Sequence, residues 1–349
     1  MKIEQTNMYK EILEQGSVLK KAYENNINKI KNVAKYVKDN DISSIFLVAR
    51  GSSDNACQYF KYLCEIYAGI PVGFVAPSVV TLYRGKVLYK NSLVIGVSQS
   101  GSGLDIHDVI ESANSVGALT VGITNNNESL LAKTAKIHLD LSCGEELSVA
   151  ATKTFIAEMY VLALLVSEIS NSDGLRKALD YNHVQDIINK SIENKDKIFS
   201  LSKNCTDYYD AYLLARGINY VSCLEGALKL QETTYVKSKT YAISDFYHGP
   251  FAIVDNKTNV FLLHGYGSAN MDAYEMFEKL LNAHANVIVI SNDKYFIDYE
   301  KTFFIPMCEE VISPFAIVTT MQLFSLGLSI AKGLNPDRPR SLKKVTITK

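Results

Sequence analysis

An internal duplication constrains the fold of this chain more than any other feature of the sequence. Leu47–Gly51 reads Leu-Val-Ala-Arg-Gly, and Leu213–Gly217 reads Leu-Leu-Ala-Arg-Gly. At nearly the same separation along the chain, Ile123–Asn125 is matched by Ile290–Asn292, and each segment ends a β-branched run. A repeat of this kind predicts two units of similar build.

Strand and helix patterns alternate within each repeat. The first repeat has strand patterns at Ser44–Ala49, Leu93–Val97 and Leu119–Thr124, and helical patterns near Asn55–Tyr67 and Leu104–Val116. The second repeat has strand patterns near Ala211–Ala215, Val260–Leu263 and Val287–Ile290, and an apolar helical pattern at Phe315–Ala331. Such alternation favours parallel sheets with helices on both faces. We therefore expect an α/β fold with two doubly wound parallel sheets, each in three αβα layers.

The same patterns predict five segments. An amphipathic helical section, 1–40, precedes a first repeat domain at 41–170, and a helical linker at 171–202 leads to a second repeat domain at 203–335. A C-terminal tail, 336–349, follows.

Bulk composition excludes several classes of protein. The formal net charge of -1 and the isoelectric point of about 6.6 provide no field for holding a polyanion, so we expect no nucleic-acid partner. No apolar run is expected to reach the roughly 18 residues that a membrane span needs. The start Met1–Gln5 carries no apolar signal core, which predicts a cytoplasmic protein.

Cysteine and histidine residues do not form metal-binding patterns. The six cysteines contain no C-x-x-C pair, and the six histidines contain no H-x-x-x-H or H-E-x-x-H pairing. We expect reduced core cysteines, no disulfide framework, no metal and no cofactor.

A turn rich in serine and glycine follows the strand Leu93–Val97. It reads Ser98-Gln99-Ser100-Gly101-Ser102-Gly103 and leads into a helix, so backbone N–H groups, hydroxyls and the positive end of a helix dipole would meet there. That combination suits a phosphate, although the same residues also make ordinary loops and N-caps. Gly51-Ser52-Ser53 ends the first strand at the same sheet edge, which strengthens the phosphate interpretation.

Three charged residues share one face of a predicted helix in the second repeat. Glu225, Lys229 and Glu232 are spaced by four and three residues, and His248 follows at a turn with Gly249 and Pro250. A solvated ladder of ion pairs is the alternative. Because the other positions of the helix are largely apolar, we expect the charged stripe to be partly enclosed and to supply proton-transfer groups.

The two repeats differ at corresponding positions. Where the first repeat has its serine cluster, the second reads His264-Gly265-Tyr266-Gly267-Ser268. The acidic helix has no counterpart near Lys61–Glu65 in the first repeat. One repeat is therefore expected to hold phosphate and the other to supply acid–base groups, with the site at the domain junction.

Six motifs in order make the chain resemble proteins with two SIS (sugar isomerase) domains. The resemblance covers nearly the whole chain, and it is strongest to the isomerase half of glucosamine-6-phosphate synthase and to stand-alone amino-sugar phosphate deaminase/isomerases. The matching segments are Gly51–Ser53, Ser98–Gly101, Glu146–Lys153, Glu225–Glu232, His248–Pro250 and Pro339–Lys344.

The resemblance implies roles for individual residues. Glu232 would move a proton between C1 and C2 of an open-chain sugar phosphate, and His248 would assist ring opening from a partner subunit of a homodimer. Lys344 would act at the sugar carbonyl, electrostatically or as a Schiff-base amine, with Glu225 and Lys229 tuning the cluster. The remaining implied contacts are phosphate binding by Ser53, Ser98, Gln99, Ser100 and Ser102, and substrate binding by Gly51, Ser52, Val149 and Ala150.

The sequence also departs from the family pattern. Ser102-Gly103 stands where the synthase loop has Glu-Thr, so one phosphate hydroxyl is missing or comes from Ser102. Ser244-Asp245 replaces the common Gly-Glu before the His248 turn. Position 2 is Lys2, which is no nucleophilic cysteine, so we expect no glutaminase domain in this chain.

The resemblance leaves three activities open. The first is isomerisation of a hexose or hexosamine 6-phosphate coupled to deamination, which would convert glucosamine-6-phosphate to fructose-6-phosphate and ammonia. The terminal pattern Lys344-Val345-Thr346 is frequent among such enzymes. The second is a fructosamine-6-phosphate deglycase. The third is a non-catalytic sugar-phosphate sensor, which would need only the phosphate-binding residues.

Overall fold

The protein is described by a computed structural model that covers residues 1–344. These residues form two compact units, which are described separately. The first-repeat unit comprises 17–146, 153–181 and the described chain from Lys343, and the second-repeat unit comprises 1–16, 147–152 and 182–342. Val345, Thr346 and the end of the predicted 336–349 tail lie outside the described residues. The five-segment division of the chain stays a prediction.

A five-stranded parallel sheet forms the centre of the first-repeat unit. Its strand order is β2-β1-β3-β4-β5. The strands are β1 (Ser44–Val48), β2 (Val72–Phe74), β3 (Ser92–Val97), β4 (Leu119–Thr124) and β5 (Ile137–Asp140). Strands β3 and β4 are buried along their whole length, as expected for parallel strands covered on both faces.

Helices cover both faces of this sheet. They are α1 (Asn7–Asp39, in this unit from Ser17), α2 (Ser52–Leu63, continued by a π-helical turn Cys64–Ala68), α3 (Pro77–Thr81), α4 (Leu104–Ser115), α5 (Leu130–Thr134), α6 (Lys153–Ser170) and α7 (Asp173–Ala178). Helices α4 and α5 share a core with β1 and β3, whereas α2 packs on β3 and against α6. Gly122 permits the close approach of α5, because a Cβ there would lie 3.1 Å from the Leu131 carbonyl oxygen.

The second-repeat unit repeats this architecture. Its five-stranded parallel sheet has the order β10-β9-β8-β6-β7. Taken from the opposite edge, this is the same connectivity as in the first sheet. The strands are β6 (Asp210–Ala215), β7 (Lys237–Ala242), β8 (Asn259–His264), β9 (Asn286–Ser291) and β10 (Thr302–Phe304). The prediction of two doubly wound parallel sheets after a helical N-terminal section is confirmed.

Helices also cover both faces of the second sheet. They are α8 (Tyr181–Glu193), α9 (Lys195–Lys203), α10 (Tyr220–Thr234), α11 (Ile243–Tyr247), α12 (Asn270–Asn282) and α13 (Ser313–Ala331). Helices α11 and α12 share a core with β6, β8 and β9. Helix α13 packs against α9 and α10.

One helical segment of the described chain, Glu310–Ala331, is long and apolar enough to cross a membrane by length and composition alone. It has 22 residues, and its most apolar 18-residue stretch has a mean hydropathy of 1.6, so the expectation that no apolar run reaches this length was wrong. Polar residues such as Thr319, Thr320 and Gln322 interrupt the run without lowering its mean hydropathy much. The segment's most apolar stretch is 100% buried inside the protein, which is typical of a core helix.

Candidate active site

The serine-rich turn lies at the position where a doubly wound sheet usually binds ligands. Strand β3 ends at Val97 and α4 begins at Leu104, so the turn 98–103 opens at the carboxyl edge of the sheet. Strands β1 and β3 are neighbours, and the strands that follow them, β2 and β4, lie on opposite sides. This is a topological switch point, where ligands bind outside the strand ends.

The turn is folded tightly by its own hydrogen bonds. The Gly101 N–H donates to the Ser98 hydroxyl over 3.1 Å, and the Ser102 N–H donates to the Ser100 hydroxyl over 3.3 Å. Gly101 has a φ of +63°, and a Cβ there would lie 2.2 Å from Ser129 Oγ, so the position requires glycine. Ser98, Gln99 and Ser100 are half-buried beside the N-terminus of α4, an arrangement suited to an anion.

An ion pair joins the exposed side chain of Arg50 to a buried carboxylate in the first turn of α4. Asp105 is 2% exposed, and its Oδ2 accepts hydrogen bonds from Arg50 Nε over 2.9 Å and Arg50 Nη2 over 2.8 Å. An uncompensated carboxylate here would repel an anion in the neighbouring turn, and the positive charge of Arg50 offsets that repulsion. Sequence reasoning missed this pair, although Arg50 directly precedes the Gly51 motif.

Ser53 is directed towards a buried carboxylate. Gly51, with a φ of +58°, is the N-cap of α2, and Ser52 begins the helix. The Ser53 hydroxyl donates to Glu158 Oε1 over 2.8 Å, and both residues are buried. This bond fixes Ser53 against α6, and the predicted contact of Ser53 with phosphate stays a prediction.

The three charged residues of α10 form an enclosed cluster. Lys229 Nζ lies 3.1 Å from Glu225 Oε1 and 2.7 Å from Glu232 Oε2. The side chains of Glu225 and Lys229 are fully buried, whereas that of Glu232 is 18% exposed. Burial alone would lower the pKa of Lys229, but the two carboxylates outweigh it and raise that pKa. The lysine is therefore a fixed cation between two carboxylates.

Glu232 lines a cavity of about 360 Å³ in the second-repeat unit. The cavity is lined by Leu228, Gln231, Glu232, Tyr235, Arg340, Ser341 and Leu342. The Arg340 guanidinium lies 4.1 Å from the centre of the Tyr235 ring, and the Arg340 N–H donates to the Tyr235 hydroxyl over 2.9 Å. These two contacts hold the C-terminal segment beside the carboxylate.

His248 lies at a strained turn of the same unit. It ends α11, its N–H donates to the Asp245 carbonyl over 3.1 Å, and its side chain is exposed. Gly249 has a φ of +121°, a conformation that residues with a Cβ rarely adopt. The turn therefore presents the imidazole on the surface of the unit.

Lys344 makes a contact within the first-repeat unit. Its Nζ lies 2.7 Å from Glu146 Oε2, and the same oxygen accepts a hydrogen bond from the Thr154 hydroxyl over 2.7 Å. Glu146 opens the predicted substrate-binding segment, so its place in that motif was a signal that sequence reasoning left unused. Val149 is half-buried and Ala150 is fully buried in the second-repeat unit.

A group of potential metal ligands lies on α4. Candidate ligand atoms of His107, Asp108 and Glu111 lie within 4.8 Å of one another, with Glu111 exposed and the other two half-buried. Solvated acidic groups of this kind are common without a metal. We assign no ion to them, and the absence of a metal site stays a prediction.

The predicted residues thus fall into two groups. The first-repeat unit holds Gly51, Ser52, Ser53, Ser98, Gln99, Ser100, Ser102 and Lys344, and the second-repeat unit holds Val149, Ala150, Glu225, Lys229, Glu232 and His248.

These features define a duplicated α/β protein with a serine-rich turn at a topological switch point in one unit and a buried carboxylate–lysine cluster in the other. The chain belongs to the SIS domain family, whose model matches residues 40–168 and 208–332. The family assigned from the sequence motifs is therefore confirmed.

Curated relatives are longer than this chain. It is 31% identical over 97% of its length to the glutamine–fructose-6-phosphate aminotransferase (isomerizing) of Pyrococcus horikoshii, of which it covers 57%. It is 32% identical over 87% of its length to the enzyme of the same name from Methanothermobacter thermautotrophicus, of which it covers 51%. The chain thus spans little more than half the length of these relatives.

Solved structures show the same fold. A candidate phosphosugar isomerase from Silicibacter pomeroyi has a TM-score of 0.85 and 26% identity, with 95% of this chain and 100% of that chain covered. The C-terminal domain of the Francisella tularensis glucosamine-fructose-6-phosphate aminotransferase has a TM-score of 0.87 and 23% identity, with 97% and 100% covered. A glucosamine-6-phosphate deaminase from Thermotoga maritima has a TM-score of 0.76 and 22% identity, with 98% and 100% covered.

Proposed function

We propose that this protein is a phosphosugar isomerase that acts on a hexosamine 6-phosphate and couples the aldose–ketose proton shift to release of ammonia. One observation carries the proposal. The α10 cluster encloses Glu225 and Lys229 completely but leaves Glu232 at the wall of a cavity. A carboxylate that is held by a buried lysine and also reaches a cavity is suited to proton transfer.

In the proposed reaction, the turn Ser98–Ser102 binds the phosphate of glucosamine-6-phosphate, and His248 assists ring opening. Glu232 then removes the C2 proton of the open-chain aldehyde and returns it to C1. The product imine takes up water and yields fructose-6-phosphate and ammonia. Lys344, which is paired with Glu146, supplies positive charge at the sugar oxygen.

The proposal includes a homodimer in which His248 of one copy serves the site of another. The exposed position of this imidazole on its unit is consistent with such a role.

A fructosamine-6-phosphate deglycase is the second candidate. Apolar and aromatic side chains in the lining of the cavity beside Glu232 favour it, because a departing amine larger than ammonia carries a carbon chain. Leu228, Tyr235 and Leu342 would then contact the carbon chain of a larger departing amine.

The test measures ammonia and fructose-6-phosphate formed from glucosamine-6-phosphate by the purified protein. Glu232→Gln should lower turnover by about 10²- to 10⁴-fold with substrate affinity largely kept. Glu300→Gln changes an exposed carboxylate and is the matched control. Ser100→Ala should chiefly weaken phosphate binding.

Three other results would redirect the assignment. Turnover confined to fructosamine-6-phosphate would establish the deglycase. Sugar-phosphate binding without turnover of either compound would support the non-catalytic sensor. Full activity of Glu232→Gln would refute the proton-transfer role of Glu232.

A further inference from the structure

We infer that Glu11 is a positioning residue that holds the segment Leu147–Thr152 for contact with the sugar; this rests on the proposed function. Glu11 lies in the second turn of α1 and is 5% exposed. Neither its sequence neighbours nor the motifs of the two repeats point to it.

The carboxylate of Glu11 accepts hydrogen bonds from the start of this segment. The Ser148 N–H lies 3.2 Å from each Glu11 carboxylate oxygen. The Leu147 N–H and the Ser148 hydroxyl also donate to the carboxylate. Two consecutive N–H groups and a hydroxyl that converge on one buried carboxylate fix the backbone direction of the segment.

The next residues carry the predicted substrate contacts. Ser148 Oγ also lies 2.8 Å from the Ala150 carbonyl oxygen, so Glu11 is linked through Ser148 to Ala150. Val149, between them, is half-buried. A shift of the backbone at Leu147 and Ser148 would therefore move Val149 and Ala150, which are expected to contact the sugar.

Glu11 is itself held on a rigid element. The N–H groups of Asn7 and Met8 donate to the Asp337 carboxylate over 2.7 and 2.9 Å, which caps the start of α1. One turn beyond Glu11, Gln15 Oε1 accepts a hydrogen bond of 2.9 Å from the Thr319 hydroxyl of α13. Helix α1 is thus fixed on both sides of Glu11.

This arrangement explains why the segment belongs to the second-repeat unit. In sequence, residues 147–152 lie between two parts of the first-repeat unit. One part ends at Glu146, and the next begins at Lys153. The Glu11 carboxylate joins them to the unit that contains Glu232. We therefore assign to Glu11 the positioning of Val149 and Ala150, the two residues proposed to contact the sugar.

The experiment compares two ligands by calorimetry, fructose-6-phosphate and inorganic phosphate. In Glu11→Gln, the neutral amide is a weaker acceptor and offers an NH₂ group to donors that need an acceptor. We expect fructose-6-phosphate to bind about 10- to 100-fold more weakly and inorganic phosphate to change less than about twofold. Glu24→Gln, an exposed residue of the same helix, should leave both affinities unchanged.

A smaller change provides an independent reading if Glu11→Gln folds poorly. Ser148→Ala keeps the carboxylate and removes one donor, so it should weaken fructose-6-phosphate binding by roughly 2- to 10-fold and spare inorganic phosphate. Equal weakening of both ligands, or of neither, in the folded variants would overturn the role of Glu11. Failure of the wild-type protein to bind fructose-6-phosphate would instead overturn the proposed function.

Discussion

The charged cluster of α10 illustrates what can be predicted for a single residue. The spacing of Glu225, Lys229 and Glu232 correctly predicted a shared helix face and partial enclosure. It did not reveal that Glu225 and Lys229 are fully buried, because the packing around α10 includes elements far along the chain, such as α13. Only the full tertiary structure singles out Glu232 as the carboxylate of this cluster that reaches a cavity.

Lys229→Met should destabilise the protein by about 3–5 kcal/mol at neutral pH, because it leaves two carboxylates without their cation. In the wild type, the pKa of Lys229 is raised above its ordinary value of 10.5. The stabilisation by the charged lysine is therefore complete below pH 10.5 and is lost only above it. In the variant, protonation of the two carboxylates removes negative charge that Lys229 balances in the wild type, so the loss of stability relative to the wild type should shrink as the pH falls. Urea unfolding at pH 7.5 and 5.5 measures both effects.

Lys239→Met, at an exposed position of β7, is the control for Lys229→Met and should change stability by less than about 0.5 kcal/mol. A Lys229→Met protein as stable as the wild type would show that the cluster is not held by charge.

Pairs formed between distant residues were beyond sequence reasoning. Two ion pairs join residues from separate elements: Arg50 with Asp105, and Lys344 with Glu146. No periodicity within one helix or strand encodes such a pair, so these contacts appear only after the chain is folded.

At the scale of elements, the central strands were predicted to within a residue or two and the edge strands were not. Strands β2, β5, β7 and β10 lie at the edges of their sheets. They are short or partly exposed, so they lack the continuous apolar run that marks a strand buried on both faces. Long apolar helices such as α13 were recognised because nearly all their residues are buried.

The contact between α13 and α9 should tolerate no added methyl group. A Cβ at Gly327 would lie 2.4 Å from Ser202 Oγ and 2.8 Å from Phe199 Cδ1. We expect Gly327→Ala to destabilise the protein by about 1–3 kcal/mol through overpacking, despite the better helix propensity of alanine. Denaturant unfolding monitored by circular dichroism measures the change.

Gly174→Ala is the matched control for Gly327→Ala, because the nearest atom to its added Cβ is 4.0 Å away. Helix α7 should gain up to about 1 kcal/mol from this change. Stabilisation by both variants would contradict the proposed packing of α13.

At the scale of the whole molecule, the duplication and the family could be predicted from the sequence. Which residues belong to each compact unit could not. The second-repeat unit includes residues 1–16 and 147–152, which lie before or within the first repeat in sequence. Hydrogen bonds of Glu11 and Asp337 connect these segments. No local sequence pattern predicts these bonds. The cytoplasmic location and the homodimer stay predictions.

Cysteine chemistry should report on the integrity of both units. The six cysteines are free in the described chain, and burial raises the pKa of every one, to about 12 for Cys64 and Cys308. Unfolded thiols lose their protons above their ordinary value of 9.0, whereas the folded thiols keep theirs, so stability should fall as the pH rises through 9. Urea unfolding at pH 8 and pH 10 tests this.

Cys308→Ala should make this fall in stability shallower, since it removes one such thiol. Disulfide reagents at pH 8 should modify the native thiols far more slowly than the unfolded ones. Rapid modification of all six thiols in the native protein would contradict the burial described here.

The Asp337 cap on α1 has a consequence for the order of events during synthesis. Asn7 and Met8 are made 330 and 329 residues before Asp337, whose carboxylate accepts their N–H groups. A ribosome-bound chain can complete the sheet of the first repeat while the start of α1 still lacks its cap. The second-repeat unit can close only after Asp337 has been translated, so the start of α1 remains without this partner while the intervening chain is made.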